Sequence, residues 1–296
     1  MAETSMARVS LPGLSPGVRR KWRRERGRWL LRGLVMWAFA LLFLAPFLWM
    51  LSSSLKRDID VFSLPITWWP GEPQWNNYAK IWTGPHSMVH YFLNSGFVVA
   101  LRIIGEVILC SLAGYAFGRL RFRGRNALFL VFLASSIVPA QLLLVPRFMF
   151  FRQLGLYDSL WALILPGLAS VFGIFLMRQH FASAPAELGE AARIDGANEF
   201  TIFLRIYVPL AVPIITAFAI LVFDSAWNDY ETPLVMISSN ENYTVPLGLT
   251  TFISDSGTIS AALSMAGSVS SVIPILVFFL IFQKRFMASM ARAGLR

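Results

Sequence analysis

Few residues in this chain carry side chains able to do chemistry, and they gather in two places. Arg102 and Glu106 stand one helical turn apart inside a long apolar run, and Asp224 lies inside another. Charges within hydrocarbon are costly and usually face a cavity or a partner. At 1.5 Å per residue, Arg102 falls about 15 Å and Asp224 about 10 Å below the same membrane face. Gln141 falls near the depth of Asp224 by the same arithmetic. Arg102, Gln141, Asp224 and Asn228 can form planar hydrogen bonds, and Trp227 beside them offers an aromatic face. Two readings stay open. These groups border a path for a polar solute, or they serve local structure, with Arg102 paired to Glu106, Asp224 bonded to a neighbouring helix and Trp227 in an interfacial belt.

The second place is polar. Arg178–Leu210 separates two apolar runs and is too long for a plain connection. It reads as two short helices. Pro185 suits a first helical turn, Ala186–Asp195 favours helix, and Glu187 and Glu190 lie toward its positive end. Gly196 is a left-handed stop, Asn198 can cap a second helix from Glu199, and Pro209 opens the next apolar run. Small Ala191 and Ala192 permit close approach, so the shape suits docking. The bland alternative is a surface helix pair without a partner, with Glu190 paired to Arg193.

These groups are positioned by an apolar chain. Of 296 residues, 56% are hydrophobic and 14% charged, with a net charge of +10. Soluble domains carry about 25% charged residues. The composition excludes an ordinary soluble enzyme and a disordered chain, and it argues against a nucleic-acid binder. The lone Cys110 excludes a disulfide scaffold and a cysteine zinc site. Apolar stretches at 33–55, 92–118, 127–146, 159–177, 211–237 and 261–282 predict six transmembrane helices, because a lipid-exposed segment must satisfy its own backbone. The fold class is all-α and polytopic, with a basic segment 1–32, a membrane domain 33–286 and a tail 287–296.

The Lys and Arg residues set the direction. Twenty lie in four segments that six spans place on one side: the N-terminal stretch from Arg8 to Arg32, the Arg119–Arg125 loop, the 178–210 loop and the tail to Arg296. Five lie opposite: Lys56, Arg57, Lys80, Arg147 and Arg152. The bias puts both termini in the cytoplasm. The N-terminal basic run is too long, and lacks the A-x-A site, for a cleaved signal peptide; it reads as an anchor on anionic lipid. The Trp- and Pro-rich outer stretch Lys56–Tyr91 suggests an interfacial cap, and Ser238–Ser260 forms a second outer loop.

Glu190-Ala191-Ala192, three residues, Gly196, nine residues, Ile206, one residue, then Val208-Pro209 resembles the EAA loop of binding-protein-dependent ABC importers; Val208 stands where the pattern has Leu. The strings IVPAQLLLVPRF, Trp227-Asn228-Asp229-Tyr230, YTVPLGL and QKRFMASMARAGLR extend the resemblance over nearly everything after Phe92, toward the carbohydrate branch and its smaller maltose-type permease component. The resemblance implies a type I importer permease in a bacterial inner membrane. Glu190, Ala191, Ala192, Asp195, Gly196, Ile206 and Pro209 would form coupling helices seated in a separate ATPase subunit dimer. It also implies a second homologous permease, an extracytoplasmic solute-binding protein meeting the Ser238–Ser260 loop, and a sugar substrate passing Arg102, Gln141, Asp224 and Asn228 with Trp227 as a stacking surface.

The chain has no GxxxxGK[ST] motif. It is therefore expected to bind no cofactor or metal itself, with ATP and Mg used by the partner. The competing function is a stand-alone secondary carrier, which would favour inverted repeats that the sequence does not show. A membrane enzyme would need clustered ligands or acid–base groups, and His86, His90 and His180 do not cluster within the spans.

Overall fold

The computed structural model describes residues 16–84, 87–252 and 260–293, and every regular element among them is helical. Arg8, His86, part of the Ser238–Ser260 loop and the chain end at Arg296 lie outside the described residues. Helix α1 (Pro16–Ser54) leads through short α2 (Asp58–Val61) and α3 (Asn76–Thr83) into the long α4 (Met88–Arg119). Next come α5 (Arg125–Ala134), α6 (Leu144–Gln153), α7 (Trp161–Ile164) and α8 (Val171–Ser183). The elbow is α9 (Ala186–Ile194) and α10 (Glu199–Ile202), leading into α11 (Val208–Trp227). Short α12 (Glu231–Met236) and α13 (Val245–Gly248) precede the final α14 (Ala261–Ala293).

Five segments are long and apolar enough to cross a membrane: Arg32–Ser54, Met88–Arg119, Trp161–Ser183, Glu199–Trp227 and Ala261–Gln283. The third expected span differs from a simple helix. It is a pair, Arg125–Ile137 and Ala140–Gln153, bent by 89°. Pro139 explains the break. It has no N–H to continue the ladder, and it drives the preceding Val138 into extended backbone (ψ 116°). The fifth apolar run is also shorter than expected, ending at Trp227 rather than near Ile237. Asn228 donates its backbone and side-chain N–H groups to the Asp224 carbonyl, and Asp229 accepts from the Thr232 N–H to start α12. Polar side chains at 228 and 229 thus divide a hydrophobic run that reads as continuous. At the N-terminal side, the expected boundary at residue 32 falls within the single helix α1.

Helices α4 and α8 make the central contact, built on small residues. A Cβ on Gly114 would lie 2.8 Å from the Arg178 nitrogen and 2.9 Å from the Met177 carbonyl carbon, and one on Gly173 2.8 Å from Cys110 Sγ. Without a hydrophobic drive between helices in lipid, such close backbone approach supplies the packing energy. One buried cluster joins α4, α8 and α11 through Tyr115, Phe181, Phe203, Tyr207 and Phe218 at the elbow end. A second, around Tyr91, Val99, Trp227 and Ala266, lies toward the other end of α4. Most side chains of α1 from Leu34 to Leu51 are exposed.

Candidate functional site

The elbow is built by local rules. The Ala197 N–H bonds to the Ala192 carbonyl at 2.9 Å and the Gly196 N–H to the Arg193 carbonyl at 3.0 Å. This closes α9 with a Schellman motif, whose reversing residue must be left-handed. Gly196 supplies it at φ +83°. The Asn198 side chain then accepts the Thr201 N–H at 2.8 Å and caps α10. Pro185 sits at the N-cap of α9, one position before the first turn. The chain does not pause at Pro209. A π-turn over Phe203–Tyr207, closed by the Val208 N–H on the Phe203 carbonyl, carries α10 straight into α11.

Three contacts fix the elbow to the bundle. The Tyr115 hydroxyl of α4 donates to Glu199 at 2.8 Å. The Arg119 guanidinium donates to the Ala184 carbonyl and lies 4.9 Å over the Tyr207 ring. Gly189 leaves room for Tyr207, whose Oη would be 2.9 Å from a Cβ there. On the surface, Arg193 reaches across the bend to Glu199 at 2.6 Å rather than back to Glu190, and this bond raises the Arg193 pKa. Between the elbow and the Arg119–Phe122 stretch lies a cleft of about 600 Å³ lined by Arg119, Arg121, Glu190, Arg193, Glu199 and Tyr207.

The seven elbow residues read from sequence divide in two. Glu190, Ala191, Asp195, Gly196 and Pro209 are exposed, whereas Ala192 and Ile206 pack partly buried against the core. Two residues missed in the sequence stand out beside them: Ile194 is 86% exposed and Phe200 63%. Their periodicity offered no signal, because neither fits a stripe facing the core. Tyr115 was equally invisible, being 84 residues from Glu199.

Within the bundle the polar residues are partly united. Arg102 donates from Nε and Nη2 to Glu106 at 3.1 and 3.0 Å, and its Nη1 lies 3.9 Å from Asp229. Gly167 makes room for the guanidinium, whose atoms would lie 2.5–2.7 Å from a Cβ. Asp229 was not among the expected residues, although it belongs to a string that carried the resemblance. Asp224 and Asn228 are exposed and bonded to each other at 3.0 Å. Gln141 is exposed on the short turn after the Pro139 break. Trp227 is buried: its ring stacks on Phe223 at 5.8 Å, meets the edge of Phe92 at 5.7 Å, and gives its N–H to the Ser271 carbonyl. In this conformation its faces are occupied by protein.

The described residues form an all-helical membrane bundle that presents a glycine elbow on a rigid foot. Residues 110–292 match the family described as binding-protein-dependent transport system inner membrane component, and the chain belongs to that family. It is 33% identical over 283 residues to the probable ABC transporter permease protein YurM of Bacillus subtilis (strain 168), covering 92% of each chain. It is 32% identical over 271 residues to the arabinooligosaccharides transport system permease protein AraQ of Halalkalibacterium halodurans (strain ATCC BAA-125 / DSM 18197 / FERM 7344 / JCM 9153 / C-125), covering 90% of this chain and 96% of that one. Its fold matches, at TM-score 0.77 and 25% identity, a chain in the crystal structure of a bacterial ABC transporter involved in the import of the acidic polysaccharide alginate, over 93% of this chain and all of that one. The chain is an all-α, multi-pass permease of the ABC importer kind.

Proposed function

We propose that this chain forms half of the translocation path of an ATP-driven sugar or oligosaccharide importer and is moved by a separate ATPase dimer through its elbow. The elbow's geometry carries the reading: a left-handed Gly196 joins two short helices, their outer face is exposed, and their foot is bolted to α4 and α11. Rigid elements of this kind transmit a push without absorbing it. The sugar class is supported by the naming of similar proteins for arabinooligosaccharide and alginate transport. Membership of a binding-protein-dependent family favours this reading over a stand-alone carrier. The proposed reading leaves ATP and Mg to the ATPase, the second half of the path to a homologous permease, and solute delivery to an extracytoplasmic binding protein. The charge bias supports a cytoplasmic elbow and cytoplasmic termini.

In this reading Arg102, Gln141, Asp224 and Asn228 border the path. Trp227 would serve a sugar ring only in a conformation that lifts Phe223 from its face. The decisive experiment pairs Glu190→Lys with Gly196→Pro in the reconstituted importer. Normal membrane insertion with loss of transport-linked ATP hydrolysis is expected. Unchanged coupling in both variants would remove the elbow from the mechanism.

A further inference from the structure

The segment that follows span one satisfies its charges within the chain and turns its apolar side chains out. Its charged residues all stand between 56 and 60, and none follows until Glu72. Lys56 is buried, donates to the Thr67 carbonyl and lies 4.2 Å from the Trp49 ring centroid. Asp58 accepts the Ser260 hydroxyl at 2.6 Å and the Ala262 N–H at 3.0 Å, at the start of α14. Arg57 and Asp60 bond each other at 2.7 Å. Over the same stretch Ile59, Phe62, Leu64, Ile66, Trp68 and Trp69 are between 56% and 87% exposed. Single exposed apolar residues are ordinary, but so dense a set marks a contact surface.

The segment folds back along α1 instead of projecting from its end. The Ser52 hydroxyl donates to the Trp68 carbonyl, and the Trp68 ring meets the Trp49 ring edge-on at 5.6 Å. The Gln74 N–H then bonds the Leu55 carbonyl at 2.8 Å and returns the chain to the helix end. Span one ends at Ser54. At 1.5 Å per residue Trp49 lies about 7 Å inside that end. Trp68 is thus drawn to the depth of about 5–10 Å at which interfacial elements bury their apolar faces. Leu44, Phe47, Leu48 and Leu51 of α1 are exposed beside this level, so the apolar set continues the surface of span one. A water-soluble partner would have to reach below the end of the span to meet Trp68, whereas the bilayer already lies there. Tryptophan is also the side chain that favours this boundary.

We propose that residues 59–69 form a wedge seated in the lipid leaflet at the membrane face opposite the elbow, with these six side chains among the upper acyl chains and Glu72 beyond it in water. The test uses the full chain with its co-purifying subunits in nanodiscs of phosphatidylcholine and phosphatidylglycerol. One cysteine at a time is introduced and spin-labelled: Phe62→Cys, Leu64→Cys, Ile66→Cys and Glu72→Cys. All four positions are exposed, so the packed residues stay untouched, and the unaltered chain, whose Cys110 is buried, sets the labelling background. Power-saturation spectra compare collisions with oxygen, which partitions into lipid, and with a water-soluble nickel chelate. Labels at 62, 64 and 66 should meet oxygen several-fold more often than nickel, at a depth of about 5–10 Å, and the label at 72 should show the reverse. Nickel access at 62, 64 and 66 equal to that at 72 would overturn the wedge and make the segment a water-facing loop. Protection of these labels from both reagents would overturn it in favour of a covering protein.

Discussion

Asp158 shows how a single side chain can organise two loops. Its backbone is left-handed at φ 58°, and one carboxylate oxygen accepts the Ser238 N–H, the Ser239 N–H and the Ser239 hydroxyl, each at 3.0 Å. Its carbonyl also takes the Asn242 side-chain amide at 2.7 Å. Burial raises the Asp158 pKa, but the backbone donors of Ser239 and Ser238 and the two side-chain donors outweigh it and hold the pKa below the ordinary aspartate value. A carboxylate depressed in the folded state stabilises at pH above its unfolded pKa of about 3.9, and that contribution disappears as pH falls through the folded value. Thermal unfolding followed from pH 7 into the acid range should therefore show a loss of melting temperature below about pH 4. Asp158→Asn should melt lower at pH 7 and show a flatter acid slope; equal slopes would mean the knot is not held by charge. None of this was legible in the sequence, where Asp158 and Ser239 are 81 positions apart. Gly196 and Asn198 were legible, because stop and cap act on residues two to four positions away and their chemistry is local.

At the scale of elements, close contact rather than side-chain bulk joins α4 to α8. A methyl at Gly114 would press on the Met177 Cβ and on the backbone of residues 177 and 178. Backbone cannot swing aside as a flexible side chain can, so the helices must separate. Gly114→Ala is expected to destabilise the bundle by about 1–3 kcal/mol, the usual cost of overpacking, and melting of the detergent-solubilised chain measures it. Gly33→Ala provides the control, since no atom lies within 4 Å of a Cβ there. An equal effect at both positions would mean that helix propensity, not packing, decides. The existence of the spans was readable from hydropathy because lipid leaves a backbone little choice. Their interruptions were less so. Pro139 was visible, but proline also occurs in unbroken membrane helices, and nothing local announced an 89° bend. The α11–α12 turn at Asn228 and Asp229 was hidden because hydropathy averages two polar residues into an apolar run.

At the scale of the whole molecule, one end of the bundle offers apolar groups that the fold does not need. Ile194 and Phe200 lie on the two arms of the elbow at 86% and 63% exposure, and the elbow's own rigidity comes from Tyr115, Arg119, Gly189 and Tyr207 beneath them. Foot and face can therefore be separated experimentally. Replacing Ile194 by Asp removes no contact to the core cluster, so the chain should fold and insert with its melting temperature unchanged, whereas Phe200→Asp also loses the ring contact of Phe200 with the buried Phe203, 6.5 Å between centroids, and should melt slightly lower. Docking to an ATPase subunit would bury these side chains, and fully burying a large apolar residue is worth about 1.5–3 kcal/mol. Each substitution should then weaken association at least tenfold, since 1.4 kcal/mol is a factor of ten in affinity. The foot should behave in the opposite way. Tyr115→Phe loses its bond to Glu199, costing the isolated chain about 0.5–1.5 kcal/mol in stability, while leaving the docking face chemically intact. Co-purification of tagged ATPase with each variant, beside melting of the permease alone, separates the two effects. A chain in which Ile194→Asp and Phe200→Asp retain full ATPase recovery would show that the force enters the bundle somewhere other than this elbow.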